Sequence, residues 1–294
     1  MCEFCHEHGE GKKWYLQMKN YSRTLLLEEL SEEKQKVVGT KTRGEWVGNF
    51  FNTFTFHKQK EKPEPKSQEP TQPTEPPKPP PTEEQITKHS QIVHFGQVLP
   101  IEDIEQVIDL VNTITRLPCG CRYITTGKSD ARYCFGVSVG PLGNSGTEPD
   151  PSFEVITKKD AKKLFHKFDK EGLMHSIWTG VSPYIIGICN CDHDCNAYRY
   201  YIEQNGAPIF FRAEYICQVD WNLCKGCKSC MKHCQFAAMF YSSTNTKVYI
   251  EPTKCFGCGV CRTACNKNAI TLIPREKNKE AANIWLKKPI KQNV

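Results

Sequence analysis

Eight of the 17 cysteines repeat one spacing: Cys224-x2-Cys227-x2-Cys230-x3-Cys234, then Cys255-x2-Cys258-x2-Cys261-x3-Cys265. Thiolates at these intervals suit iron in a sulfide cluster, one per iron at the corners of a [4Fe–4S] cubane. Three cysteines two residues apart can wrap one cluster within a short loop, while the fourth starts a helical turn that leads away. That geometry favours a crossover, in which each run gives three ligands to its own cluster and the fourth to the other. Cys224, Cys227, Cys230 and Cys265 are thus expected to hold one cluster, and Cys255, Cys258, Cys261 and Cys234 the second. The chemistry implied is the movement of single electrons. A zinc ribbon would show two CxxC pairs without third and fourth cysteines at fixed offsets. Disulfides would need an oxidising compartment, and the opening MCEFCHEHGEGKK has no basic segment followed by an apolar one that would direct export.

A second set lies upstream: Cys119-x-Cys121, Cys134 and Cys189-x-Cys191-x3-Cys195. The leading reading is a third metal centre, an iron–sulfur cluster. Zinc and free buried thiols are the alternatives. Six candidates exceed the four ligands a cubane needs, and spacing alone does not choose among them. Arg122 could neutralise cluster charge, Asp192, His193 and Asp194 could ligate or supply a proton, and His175 could line the same site or be a core histidine. Near the N-terminus Cys2-x2-Cys5-His6 matches a haem-attachment pattern, but attachment requires export. Zinc held by Cys2, Cys5, His6 and His8 is a second reading, and a solvated N-terminus is the default.

The doubled run resembles the bacterial-type two-[4Fe–4S] ferredoxin family over about Cys217 to Pro274, a fifth of the chain. Gly226, Gly257 and Gly259 suit loops that fold tightly round a cofactor. Met239–Tyr241 and Val248–Ile250 flank a polar stretch and read as a hairpin. The resemblance implies a pseudo-twofold α+β fold with the clusters close enough for tunnelling. The family's proline after each fourth cysteine is replaced by Gln235 and Asn266. Each therefore keeps a backbone N–H, and a donor near cluster sulfur would raise the reduction potential.

The elements that must position these residues are legible in part. Pro100–Arg116 reads as a helix with Ile101, Ile104, Val107, Ile108, Val111 and Ile114 on one face. Thr157–Glu171 reads as another, capped by Thr157 and stopped by Gly172. Tyr133–Val139 and Ile185–Cys189 read as strands. Residues 63–81 hold nine of the 19 prolines, a composition that favours polyproline II and could span roughly 60 Å. Before them, Leu25, Leu26, Leu27 and Leu30 suggest a helix. Trp46, Phe50, Phe51, Phe54 and Phe56 suggest docking on a partner or on the chain's own body. The expected organisation is α+β: a helical and aromatic segment (1–57), a Pro-rich linker (58–85), a cysteine-rich α/β region (86–216), a dicluster ferredoxin domain (217–274) and a basic tail (275–294).

Net charge is +6, from 39 Lys and Arg against 33 Asp and Glu. Between Cys217 and Pro274, seven basic residues face two acidic ones. Two oxidised cubanes, each about −2 with their thiolates, would bring that formal +5 to near +1. The surplus lysines read as counter-charge, or as a docking rim for an acidic redox partner, and no basic stripe with interleaved aromatics points to nucleic acid. No stretch approaches the roughly 18 apolar residues of a membrane span. The expectation is a cytoplasmic iron–sulfur protein carrying electrons between donor and acceptor proteins, as a subunit or carrier in a larger anaerobic redox assembly. An oxidoreductase with its active site at the middle cysteines and a redox or oxygen sensor are the alternatives.

Overall fold

In the computed structural model the described residues are 3–22, 82, 84–85, 94, 96–139, 154–195 and 210–285. The leucines at 25–30, the aromatics at 46–56, the prolines at 63–81 and Cys2 lie outside them. Among the described residues α1 is Glu3–His8, α2 Ile101–Leu110, α3 Gly120–Thr126 and α4 Lys158–Lys170. The strands are β1 Gly96–Leu99, β2 Thr113–Leu117, β3 Cys134–Ser138, β4 Glu154–Val155, β5 Met174–Val181, β6 Tyr184–Cys191, β7 Phe210–Phe211, β8 Tyr215–Val219, β9 Met239–Ser242, β10 Lys247–Ile250 and β11 Ile270–Pro274.

Helix α4 forms where the sequence predicts it. Thr157 Oγ1 accepts the Asp160 N–H at 3.1 Å, and Gly172 stops the chain at φ 84°. Helix α2 is shorter than expected. It ends at Leu110, and Val111 turns extended (φ −80°, ψ 152°). The following Thr113-Ile114-Thr115 is β-branched throughout, and as β2 it gains partners on both sides, β3 and β4. Ile114 and Arg116 are thus strand residues.

The seven strands run in the order β4-β2-β3-β6-β5-β1-β7, and every pairing is antiparallel except β1 with β7. The middle region is therefore α+β, a correction to the α/β expectation. Its β-α-β connections do not repeat as parallel crossovers. Alternation along the strands gives the sheet two dry faces. One carries Leu99, Phe135, Val137, Ile177 and Ile188 and packs on α2 and α4 through Ile104, Val107, Ile108, Phe165 and Phe168. The other carries Val98, Cys134, Met174, Trp178, Cys189 and Cys191.

Residues 3–22 close the helical side instead of lying solvated. Trp14, Tyr15 and Tyr21 are fully buried. Trp14 Nε1–H donates to Gln97 Oε1 at 2.5 Å, Tyr15 O–H to Asp103 Oδ2 at 2.7 Å, and Lys13 Nζ to both Asp103 oxygens at 2.7 and 2.8 Å.

C-terminal to the sheet, β8 pairs with β11, and β9 with β10 as the expected hairpin. The chain changes partner at Arg212–Glu214: Phe210 and Phe211 belong to the large sheet, and Tyr215 and Ile216 to β8. The tail expected from 275 needs correction over its first half. Arg275 is fully buried, and Arg212 N–H donates to the Trp285 carbonyl at 2.8 Å, so 275–285 wrap back over the body.

His94 ties the N-terminal segment to β7. Its ring stacks between Phe4 (4.0 Å) and Phe211 (3.7 Å), and Nε2 meets Gln97 Oε1 at 3.0 Å. Burial pulls its pKa down to about 3. The folded value lies below the unfolded one, so the unfolded chain binds the extra proton and stability falls as pH drops from about 6.5 towards 3. A His94→Phe variant removes that term. Urea unfolding of both proteins at pH 6 and pH 5 is expected to show the wild type losing about 1 kcal/mol more than the variant across that step.

Candidate metal centres

The two C-terminal cysteine runs fold as tight loops followed by 3₁₀ turns at Ser229–His233 and Val260–Arg262. Gly226 (φ 65°) and Gly257 (φ 74°) let each loop close. A Cβ there would lie 2.1 Å from the Thr246 carbonyl oxygen and 2.0 Å from that of Tyr215. Two cavities result, both partly open to solvent. One is lined by Cys224, Cys227, Cys230 and Cys265. The other is lined by Cys234, Cys255, Cys258 and Cys261. The fourth cysteine of each run thus faces the other run's cavity.

The chemistry of these walls suits a polynuclear cluster. The donors converging on each cavity are mainly thiols, with His233 also lining the second. Burial pushes the Cys230 thiol up to about 11 and that of Cys258 higher still, whereas the Ser229 N–H draws exposed Cys227 down. Buried thiols of this kind become thiolates only when a bound cation supplies the charge.

Backbone donors reach the sulfurs. Ala238 N–H donates to Cys234 Sγ and Ala269 N–H to Cys265 Sγ, each at 3.3 Å. The expectation had looked to the N–H groups of Gln235 and Asn266. These bonds come instead from residues four positions beyond each cysteine. The Gln235 side chain donates to the Gly172 carbonyl at 2.8 Å, fastening this loop to the end of α4.

The six middle cysteines also meet. Antiparallel pairing brings the end of β2, the start of β3 and the end of β6 together at one end of these interior strands. Leu117 faces Cys134, and Cys134 faces Cys189. Two-residue alternation places Cys191 on the same side as Cys189. Cys119 caps α3, Cys121 lies in its first turn, and Cys195 closes the turn after β6 through its N–H to the Asp192 carbonyl. All six are buried, with Cys134 and Cys189 Sγ 3.8 Å apart. Hydrogen bonds from the Cys119 and Cys189 thiols pull Cys134 down to about 5, and those two neighbours are pushed up.

Arg122 pairs with Asp192 and Asp194, its Nη1 2.8 Å from the first and 3.7 Å from the second, while its buried Nε finds no acceptor among the described residues. His175 points to the helical face of the sheet, with Nδ1 2.6 Å from Asn190 Oδ1 and Nε2 3.6 Å from Asp169. Cys5 is buried with its thiol 3.1 Å from Glu214, away from both cysteine groups.

The thiol-bearing face of the sheet is covered by Phe256, Cys258 and Val260, so the second cavity and the six cysteines share one apolar cluster. Within the dicluster segment Phe236 stacks on Phe256 (3.9 Å), and a bidentate pair from Arg262 to Glu102 (2.6 and 2.8 Å) holds the two parts together. Sequence reasoning missed three residues here. Cys217 lines the second cavity, its Sγ 3.6 Å from that of Cys261 and its N–H 3.4 Å from Cys255 Sγ. Its β-strand position gave no motif to read. Arg212 and Arg275 both donate to the Cys255 carbonyl, at 3.2 and 3.0 Å. Nothing in the pattern of charges marks them as buried.

Comparison with known proteins places residues 223–283 in the 4Fe-4S dicluster domain family. That segment is a ferredoxin-type dicluster domain, and the chain carries an iron–sulfur redox module. The archaeal-type glutamate synthases [NADPH] of Thermotoga maritima and Thermotoga sp. (strain RQ2) are each 37% identical over 59 residues. That stretch is 20% of this chain and 12% of each relative, so the likeness is to a small part of those enzymes.

The two loop glycines give a direct test of the loop geometry. Gly226→Ala and Gly257→Ala each force a clash with main chain at a left-handed residue. Anaerobically purified variants are each expected to lose one cluster's complement, about four irons per chain, read by iron and sulfide assay. Full iron retention in both would contradict the loop geometry.

Proposed function

We propose that this chain is an iron–sulfur electron-transfer protein holding two [4Fe–4S] clusters with crossed ligation: Cys224, Cys227, Cys230 and Cys265 on the outer one, and Cys255, Cys258, Cys261 and Cys234 on the inner one. The observation that carries this reading is the sorting of eight cysteines into two cavities, four in each. Bound there, the clusters supply one-electron chemistry. The chain supplies thiolates, N–H donors to sulfur and an apolar wall.

The outer site is the entry point in this reading. Cys227 is exposed, and Lys225, Lys228 and Lys267 line the same cavity. Trp221 and Leu223, just before the first ligand, are the exposed apolar residues of this segment beside Tyr249. A lysine rim around an apolar contact suits an acidic redox protein as donor. The inner site lies against the six cysteines, which we assign as a third iron–sulfur centre. The likeness of the dicluster segment to part of a glutamate synthase supports a role in feeding a larger redox assembly, and the setting proposed for it is an anaerobic cytoplasm.

A second reading rests on one feature of the middle set. Six thiols are two more than a cubane needs, so this centre could be where substrate meets electrons. The chain would then be an oxidoreductase fed by its own ferredoxin domain.

Anaerobic protein is expected to contain about twelve irons per chain, against about eight for a plain carrier. Cys134→Ala and Cys191→Ala are expected to remove one EPR signal and leave two. If both variants keep every signal, the third centre is excluded. A substrate-induced change in that signal would favour the oxidoreductase.

A further inference from the structure

Two arginines are buried behind the inner site, at the Cys255 carbonyl, and no carboxylate among the described residues pairs with them. Arg275 is fully buried and Arg212 is 4% exposed. Their hydrogen bonds all go to main-chain carbonyls. Arg212 Nη1 reaches Thr253 at 2.6 Å and Cys255 at 3.2 Å. Arg275 Nε reaches Ala213 at 2.8 Å, and its Nη2 reaches Tyr215 at 2.8 Å and Cys255 at 3.0 Å. Arg212 Nε and Arg275 Nη1 are sealed from solvent with no acceptor. Glu214, itself buried, is the acidic group whose charge reaches Arg275, and Cys255 acts on both guanidiniums.

Burying an unpaired guanidinium costs several kcal/mol, and two side by side also repel. Among the described residues, one carboxylate against two cations leaves a positive charge unanswered. Both cations meet at the carbonyl of a residue whose thiol faces the inner cavity. An anionic iron–sulfur cluster in that cavity supplies the missing counter-charge. At the outer cavity the basic residues are lysines at a solvent-open rim, where water and salt weaken their field.

We propose that Arg212 and Arg275 are the built-in counter-charge of the inner cluster and set its reduction potential above that of the outer one. The proposal rests on the two-cluster reading above. Reduction adds one negative charge to a cluster, and a fixed cation in a low-dielectric wall stabilises that charge more than a screened lysine does. An electron entering beside Cys227 therefore comes to rest beside Cys255, next to the six middle cysteines. The arginines act through the cluster's surroundings, as positioning charges.

The test is an EPR-monitored redox titration of the full-length anaerobic protein. Cys227→Ser and Cys258→Ser assign each signal to its site. In the wild type the higher potential is expected to be the one that Cys258→Ser perturbs. Arg212→Gln is expected to shift the equilibrium between the sites at least about tenfold towards the outer one, about 59 mV for one electron. Arg212→Lys, which keeps the charge, should leave it near the wild type. Equal shifts at both sites, no shift, or the higher potential at the Cys227 site would overturn the proposal. Should Arg212→Gln fail to hold iron, the wild-type assignment still decides it. A wild type without iron would instead sink the two-cluster reading itself.

Discussion

Thiolate charge is costly to bury, and this chain buries thirteen of its sixteen described cysteines. That constraint organises the rest. Thiols are converged in three places, each lined by apolar side chains, and burial pushes most of them towards the neutral form. Only bound metal, buried cations or mutual hydrogen bonding can offset the cost. The ferredoxin-type loops, the ends of the sheet's interior strands and the arginine pair are three responses to it. The short segment from 215 to 285 has a small apolar core, in which Ile216, Met239, Val248 and Ile270 pack among cysteines, so ligation and folding are linked there.

How much of this could be read from the chain depended on whether the signal was local. The spacing of Cys224 to Cys234 and of Cys255 to Cys265 is local, and the loops it implies are present. The β9–β10 hairpin and the cap at Thr157 were legible for the same reason. The end of α2 was not, because the apolar period of a helix runs on through Val111 and Ile114 while strand pairing with β3 wins that stretch. The meeting of the six middle cysteines depends on register. Cys134 and Cys189 are 55 residues apart, and only the antiparallel β3–β6 ladder puts them opposite each other.

The same reasoning explains the residues that were missed. Arg275 follows Pro274 in a run of charged residues that reads as a solvated tail. Its burial arises because 275–285 fold back and offer it the carbonyls of Ala213, Tyr215 and Cys255. Cys217 sits in an ordinary strand pattern. Long-range partners decide both, and neither has a sequence signature. Lys13 is similar: its place beside Asp103 and Tyr215 is set by the docking of the N-terminal segment across the helices.

The pairing of β7 with β1 has a further consequence. This two-residue strand stitches the start of the dicluster segment into the large sheet, and Arg262 and Gln235 fasten it again on the far side. The redox module is thus no free-swinging cassette that must search for its acceptor. Any exchange between it and the cysteines on the sheet is first-order, with a rate indifferent to dilution. Excising the module at residue 217 would leave behind Phe210, which packs in one cluster with Phe256 and Val260, and Arg212, which bonds the Thr253 and Cys255 carbonyls.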